Sequence, residues 1–313
     1  MSAVLTTVGP IFGMIALGFV AARLKWLAET AGKGIADFTF LIAMPALLFR
    51  TVVVADMGDA RPALLLSSYF VAIAIIWAAA TVVSTLILRR PAAEGAVFAM
   101  TASYGNIVLL GIPIAIGAYG ERAAPTAAII VSMHVATLWL AACLHLALAE
   151  RSRAGTLAQL AKSVVIDFAR NPIVVAIVIG VIWRATGIGL HVSIDHMLSL
   201  LSQAGVPCAL FAVGFSLAGF RIAGDMRTLA VSFTLKNLVL PVLAWVIVRH
   251  VFDVPVLPAT VITLFAAMPT GTATYLFASR NDLAVQTTSA TVALSTAGGM
   301  ITLPIALLLL GQP

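Results

Sequence analysis

Thr101-Ala-Ser-Tyr-Gly-Asn-Ile-Val-Leu-Leu-Gly-Ile-Pro-Ile-Ala-Ile-Gly117 lies in the middle of an uncharged run, Gly95 to Gly120, that is long enough to cross a bilayer. It carries residues that a plain spanning helix does not need. In hydrocarbon every backbone N–H and C=O must be satisfied within the protein, so unwound backbone survives only where protein or a water-filled cavity surrounds it. Gly105-Asn106 and Gly111-Ile-Pro113 offer two helix-weakening points about two turns apart, the first with an amide side chain. The stretch reads as a membrane helix broken near the midplane, a device that exposes half-helix ends to a ligand.

The rest of the composition agrees with a membrane setting. The chain of 313 residues is 62% hydrophobic and only 10% charged, with a mean hydropathy of +1.11, too little polar surface for a soluble globule. The net charge of +6 is spread as ones and twos beside apolar runs, which points to topogenic anchoring and excludes a nucleic-acid patch. Cys143 and Cys208 both sit inside apolar runs and read as small core residues, with no disulfide, metal or cofactor site implied. Arg23 and Lys25 follow the first apolar run, and no charged region precedes it. That argues for an uncleaved first span entering from outside.

Ten apolar segments follow: Ala3–Ala22, Phe38–Val54, Ala63–Leu88, Gly95–Gly120, Ala123–Ala149, Asn171–Leu190, Met197–Phe220, Leu229–Val248, Val254–Ser279 and Leu283–Leu310. The basic stretch Glu150–Arg170 divides them five and five, into a first repeat over residues 1–149, a linker over 150–170 and a second repeat over 171–313. Met44-Pro45-Ala-Leu-Leu-Phe49 matches Val206-Pro207-Cys-Ala-Leu-Phe211, and Gly9-Pro10-Ile11 matches Asn171-Pro172-Ile173, both at an offset of 162. Glu121 and Asp282 lie 161 apart. An odd number of spans per copy forces the second copy to enter from the opposite side. The expected fold is therefore an all-α multi-pass membrane protein of ten transmembrane helices in two inverted five-helix repeats. Loops after odd-numbered segments hold twelve Lys and Arg against five in the others, which puts odd loops in the cytoplasm of a cell-membrane protein and both termini outside.

Carrying the offset forward from Asn106 leads into Ala266-Ala-Met-Pro-Thr-Gly-Thr-Ala-Thr-Tyr275, a second break at Pro269-Thr270-Gly271. Thr270, Thr272 and Thr274 can satisfy freed carbonyls or meet a ligand. Two broken helices crossing at the midplane bring two helix N-termini together, and their unpaired N–H groups and partial positive charge suit an anion. Asn106 adds amide donors for a carboxylate. Lys236 is the one acid or base, histidines aside, set deep in an apolar run. Such a lysine needs a partner, and its options are helix C-terminal carbonyls, water or the substrate. His134 is either a proton-relaying group or a packing residue. Asp37 and Arg50 flank the second segment, in headgroups or at the mouth of a cavity.

The Tyr104-Gly105-Asn106…Leu110-Gly111-Ile112-Pro113 break, the Lys236…Pro241 helix and the Pro269-Thr-Gly-Thr…Tyr275-Leu-Phe-Ala278 break together resemble the auxin efflux carrier family. The chain is similar in particular to its short bacterial members known as malonate or malate permeases. The resemblance implies a bile-acid-symporter-like fold in which segments 1, 2, 6 and 7 form a scaffold, often a homodimer surface, and segments 3–5 and 8–10 a domain that moves elevator-fashion. It implies an anion held by Asn106 and the backbone around Gly105 and Pro269 to Gly271, and Pro45 and Pro207 shaping the adjacent scaffold face. The short linker departs from plant members, so regulation through a long loop is not implied.

Taken with Tyr104, Thr270, Thr272, Lys236 and His134 as further substrate-facing candidates, the expectation is a secondary carrier for a small mono- or dicarboxylate. Proton or sodium coupling stays open, although sodium sites usually use carboxylates and no Asp or Glu lies inside a segment. A carrier for hydrophobic aromatic carboxylates and a non-transporting receptor are the alternatives. An enzyme would need an acid, base or nucleophile cluster that the sequence does not show, and an ATP-driven pump would need a phosphate loop, also missing.

Overall fold

The structure, a computed structural model, describes residues 2–54, 61–150, 166, 169, 172–219 and 225–311, with backbone alone for 2–8. Most of the linker expected at 150–170, with Arg151, Arg153, Lys162 and Arg170, lies outside the described residues, as does Arg221. The described chain is all helical. In order the helices are α1 (Ser2–Arg23), α2 (Glu29–Val54), α3 (Pro62–Ile87), α4 (Ala92–Ser103), α5 (Ile107–Tyr119), α6 (Glu121–Ala149), α7 (Pro172–Ala185), α8 (Val192–Leu217), α9 (Met226–Val251), α10 (Val256–Ala267), α11 (Ala273–Asn281) and α12 (Val285–Leu310). Six of them, α2, α3, α6, α8, α9 and α12, are long and apolar enough to cross a membrane.

Prolines and left-handed residues punctuate this order. Pro62 opens α3 and Pro172 opens α7, where the missing N–H costs nothing because first-turn donors are unpaired anyway. The turns Leu88-Arg89-Arg90-Pro91 and Phe252-Asp253-Val254-Pro255 share one backbone pattern. Arg89 and Asp253 take φ of 53° and 46°. The flanking amides return to the preceding helix, Leu88 to Val83 O and Arg90 to Ser84 O in one, Phe252 to Ile247 O and Val254 to Val248 O in the other.

Three prolines inside helices are absorbed by a local widening. The amides of Met44, Ile112 and Leu240 each reach back five residues, to Thr39 O, Ile107 O and Leu235 O. Each precedes a proline: Pro45, Pro113 and Pro241. The π turn gives the ring room where a regular helix would press it against a carbonyl. The expected second weak point at Gly111-Ile-Pro113 is therefore not a break, because the chain continues from the π turn Ile107–Gly111 straight into α5.

Hydropathy also places the start of α2 too late. The helix begins at Glu29, nine residues before the apolar run, because Glu29, Lys33 and Asp37 recur every four residues on one exposed face. A neighbouring face carries Gly32 against the Phe215 ring of α8.

α1 and α8 cross at backbone contact. A Cβ on Gly18 would overlap the Phe211 carbonyl, and one on Gly214 would overlap the Ile15 carbonyl. Small residues at a membrane crossing let van der Waals packing replace the hydrophobic effect that lipid cannot supply. α2 and α7 interlock in the same way, with Gly180 under Val52, Trp183 edge-on to Phe49 at 6.4 Å, and the Arg184 guanidinium donating to Val52 O at 3.1 Å. Arg50 ties α2 to the start of α8 through Asp195 at 2.7 Å.

Gly18→Ala and Gly214→Ala should each lower the stability of the purified protein by about 1–3 kcal/mol through forced separation of the two helices. Thermal melting in detergent checks this, with Gly13→Ala, which has open space around it, expected to melt like the parent.

Candidate substrate site

Two helices stop short at the same depth. α4 ends at Ser103 and α10 at Ala267, and the extended residues that follow, Tyr104–Asn106 and Met268–Thr272, run side by side. The pairing is reciprocal: the Asn106 amide donates to Pro269 O at 2.8 Å and the Gly271 amide to Tyr104 O at 3.0 Å. Gly105 and Thr270 form the antiparallel bridge between them. Asn106 is thus matched with Gly271 at a spacing of 165, three residues beyond the position that the offset of 162 selects. Glycine at 271 is required by the approach, since a Cβ there would stand 2.7 Å from the Tyr104 ring.

Around this bridge the polar groups that unwinding frees are taken up by side chains. The Thr270 hydroxyl donates to Thr101 O at 3.1 Å, the Thr274 hydroxyl to Gly271 O at 2.8 Å, and the Thr270 amide to Ser295 Oγ at 2.9 Å. Ser295 Oγ donates in turn to Asn237 Oδ1 at 2.6 Å, while Asn237 Nδ2 donates to Ser295 O at 3.1 Å. Lys236, fully buried, donates from Nζ to Ala266 O at 3.0 Å in the last turn of α10. Of the options open for it, the structure shows a helix C-terminal carbonyl. His134, also fully buried, meets the Tyr69 hydroxyl through Nδ1 at 2.9 Å and packs against Tyr104 with ring centroids 4.6 Å apart and the rings tilted by 55°.

On the other side of the bridge lies a cavity of about 590 Å³. One wall is built from α2 and α7, through Ala36, Asp37, Phe40 and Pro172 to Val174. The facing wall comes from the breaks and α6: Tyr104, Gly105, Asn106, the first turn of α5 (Ile107 to Leu109), Gly271, Thr272, Ala273, Leu276 and Arg280, with Val135, Ala136 and Trp139. The first turns of both α5 and α11 thus border the same space, and neither has a side-chain cap. Their opening N–H groups have no intrahelical acceptor and carry the positive end of each helix dipole. The cavity is otherwise largely apolar, with Phe40 and Trp139 in its walls. Trp139 packs edge-on to Phe277 at 5.5 Å, and the Arg280 guanidinium sits 5.3 Å over its ring.

Of the residues singled out from sequence, Tyr104, Gly105, Asn106, Gly271 and Thr272 line the cavity. Pro269 and Thr270 lie behind it in the bridge, and Lys236 and His134 lie behind that. Pro45 sits at the π turn of α2 and Pro207 inside α8, and neither borders the cavity. Asp37, expected in headgroups or at a cavity mouth, lines the cavity. Trp139, Arg280 and the pair Asn237–Ser295 were not anticipated. Ser295 falls in the small-residue stretch Ala293-Leu-Ser-Thr-Ala-Gly-Gly299, whose hydroxyls were the available signal. No group of three or more metal-ligating side chains occurs among the described residues.

Comparison with known proteins addresses what such a cavity serves. A family model described as membrane transport protein matches residues 3–307. The chain belongs to this family, that of the auxin efflux carriers. It is 27% identical over 293 residues to the "Putative malonate transporter" of Rhizobium meliloti (strain 1021), covering 92% of this chain and 89% of that protein. It is 26% identical over 302 residues to the "Uncharacterized transporter YfdV" of Escherichia coli (strain K12), covering 95% and 94%. A stretch of 106 residues is 29% identical to the "Lysosomal cholesterol signaling protein" of Mus musculus, 33% of this chain and 12% of that protein. The protein is thus a multi-pass member of a membrane transport family, with the first and second breaks inside the matched region.

Asn237→Ala leaves the Ser295 hydroxyl and carbonyl without their partner in a buried setting, which should cost about 1–3 kcal/mol. The expected result is a lower melting temperature together with faster amide exchange over residues 268–274. Gly271→Ala should push the Tyr104 ring aside and weaken ligand binding while the protein still elutes as a monodisperse species.

Proposed function

We propose that the protein is a secondary active transporter for a small organic anion, a mono- or dicarboxylate such as malonate or malate, with the anion held at the crossover. The observation that carries this reading is that the uncapped N-termini of α5 and α11 and the Asn106 side chain border one cavity. A carboxylate placed there accepts backbone N–H bonds and sits at two positive dipole ends. The relative named for malonate supports a dicarboxylate. In this reading Tyr104, Gly105, Asn106, Gly271 and Thr272 meet the substrate, Pro269 and Thr270 fix the backbone that does so, and Lys236 and His134 brace it from behind.

The order of helices supports an inverted repeat of ten spans, 1–149 and 171–313. A helix, two long helices, a broken pair and a long helix occur twice in the same sequence. The shared backbone of the turns at Arg89 and Asp253 recurs at a spacing of 164, between 162 at the prolines and 165 at the breaks. We read the interlocked α1, α2, α7 and α8 as the scaffold and homodimer surface, and the remaining helices as the part that slides past it. The cavity between the two is where an elevator loads. The cavity is bordered by the start of α2, the start of α7 and the end of α11, the ends next to the basic odd-numbered loops. We read it as facing the cytoplasm of the cell membrane, with both termini on the far side. There Arg50, already bound to Asp195, lies 3.9 Å from Glu121 at the start of α6.

A second reading is favoured by the size of the cavity and by Phe40 and Trp139 in its walls. Both suit a hydrophobic aromatic carboxylate of the auxin type. Uptake of labelled malonate, malate and indole acetate into proteoliposomes, with and without proton and sodium gradients, separates the two. Saturable uptake of one acid is expected, weakened about tenfold or more by Asn106→Ala through loss of a hydrogen bond to a charged group. Binding of all three acids without counterflow would instead indicate a receptor, and Asn106→Ala transporting like the parent would move the site away from the crossover.

A further inference from the structure

The half-helix ends that point away from the cavity have the opposite polarity. α4 and α10 finish there, and the C-terminal turns of helices gather unpaired carbonyls and partial negative charge, which makes such meeting points the usual seat of a coupling cation in carriers with broken helices. In this chain that seat is occupied by a side chain. Lys236 Nζ donates to Ala266 O in the last turn of α10. It also lies so close to the end of α4 that a Cβ on Gly105 would stand 3.3 Å from it. The residue is fully buried, and among the described residues no Asp, Glu or Arg is buried with it.

The titratable side chain that interacts with it is that of His134, while the Asn237 that follows it in α9 is bonded to Ser295. None can be an anionic partner in the way a carboxylate would be. The ammonium is therefore bonded to a backbone carbonyl at a helix end, the kind of ligand that a bound alkali cation would also take. The π turn Thr234–Val239 fixes it there, because it brings Lys236 and Asn237 to the interior on successive positions.

We propose that the Lys236 ammonium is a tethered cation that takes the place of a coupling ion at the crossover. It offsets the C-terminal charge of α4 and α10 throughout the cycle while the N-termini on the other face receive the anion. Anion movement then needs no sodium. This rests on the transport reading above, and it makes Lys236 a positioning residue that acts through the broken backbone.

The test compares the parent, Lys236→Ala and Lys236→Met in buffers of sodium, potassium, methylammonium or N-methylglucamine, with two readouts: melting temperature in detergent and carboxylate uptake in proteoliposomes. The parent should melt and transport alike in all four. Lys236→Ala in N-methylglucamine should melt lower and lose uptake by about tenfold or more, and methylammonium or sodium, small enough to enter the vacated space, should restore both. Lys236→Met refills the volume without charge and should regain neither. A sodium requirement in the parent overturns the proposal, as does a Lys236→Ala protein that no small cation restabilises, or a Lys236→Met protein with full uptake. The melting readout needs no substrate, so a parent that carries none of the acids removes the transport reading and leaves the cation comparison decisive. Should Lys236→Ala not fold, the sodium response of the parent decides.

Discussion

Two hydrogen bonds, from the Asn106 amide to Pro269 O and from the Gly271 amide to Tyr104 O, let two helices be interrupted in a region where water is scarce. An unwound segment in lipid leaves polar groups whose exposure costs several kcal/mol each, about the stability of a whole domain if a few accumulate. Pairing two such segments back to back satisfies the central groups of both at once. Neither break is tenable without the other, so the site requires both halves of the chain to fold together.

The polarity of the helices does the rest. Because the two breaks run antiparallel, both helix N-termini emerge on one side of the bridge and both C-termini on the other. On one side the first turns of α5 and α11 border the cavity; the other is packed with hydroxyls, an amide and a lysine that donate to carbonyls. The arrangement separates a face bordered by two helix N-termini from a face filled by Lys236 across a few residues of backbone. Tyr104 spans the divide, with one edge on the cavity and its ring against His134. The interlocked pair α2–α7 lends the cavity its far wall without contributing to the bridge.

Much of this was legible in the chain itself. Glycine, proline and asparagine in an uncharged run announced the first break, and the 162-residue offset led to the second. That offset is a property of the region where it was measured. It drifts through the turns at Arg89 and Asp253 and reaches 165 at the breaks, and α11, shorter than α5, brings it back toward 161 at Glu121 and Asp282. Hydropathy missed the first nine residues of α2, because a helix that leaves the bilayer with Glu29, Lys33 and Asp37 on one side looks like a loop to a window that averages over faces. Composition ranked Lys236 as a substrate candidate because depth is visible in sequence and direction is not. Trp139 and Arg280 were passed over for the same reason: which side of α6 and α11 meets the cavity depends on packing against α2 and α7.

The π turns carry a consequence of their own for α9. Its buried positions Ser232, Lys236, Leu240, Ala244 and Val248 recur every four residues, whereas a regular helix would let such a stripe wander around its axis by about 40° per step. The two widened turns at Thr234–Val239 and Ile247–Val251 slow the winding enough to keep the stripe facing one way. The helix is in effect geared, with Pro241 following the first of the two turns. Loss of one residue from the first of these turns would leave composition and hydropathy almost untouched and yet rotate everything upstream of it, Asp225 and Thr228 included, away from Arg90, their partner at the opening of α4. In this helix the spacing of residues is as much a determinant of the site as their identity.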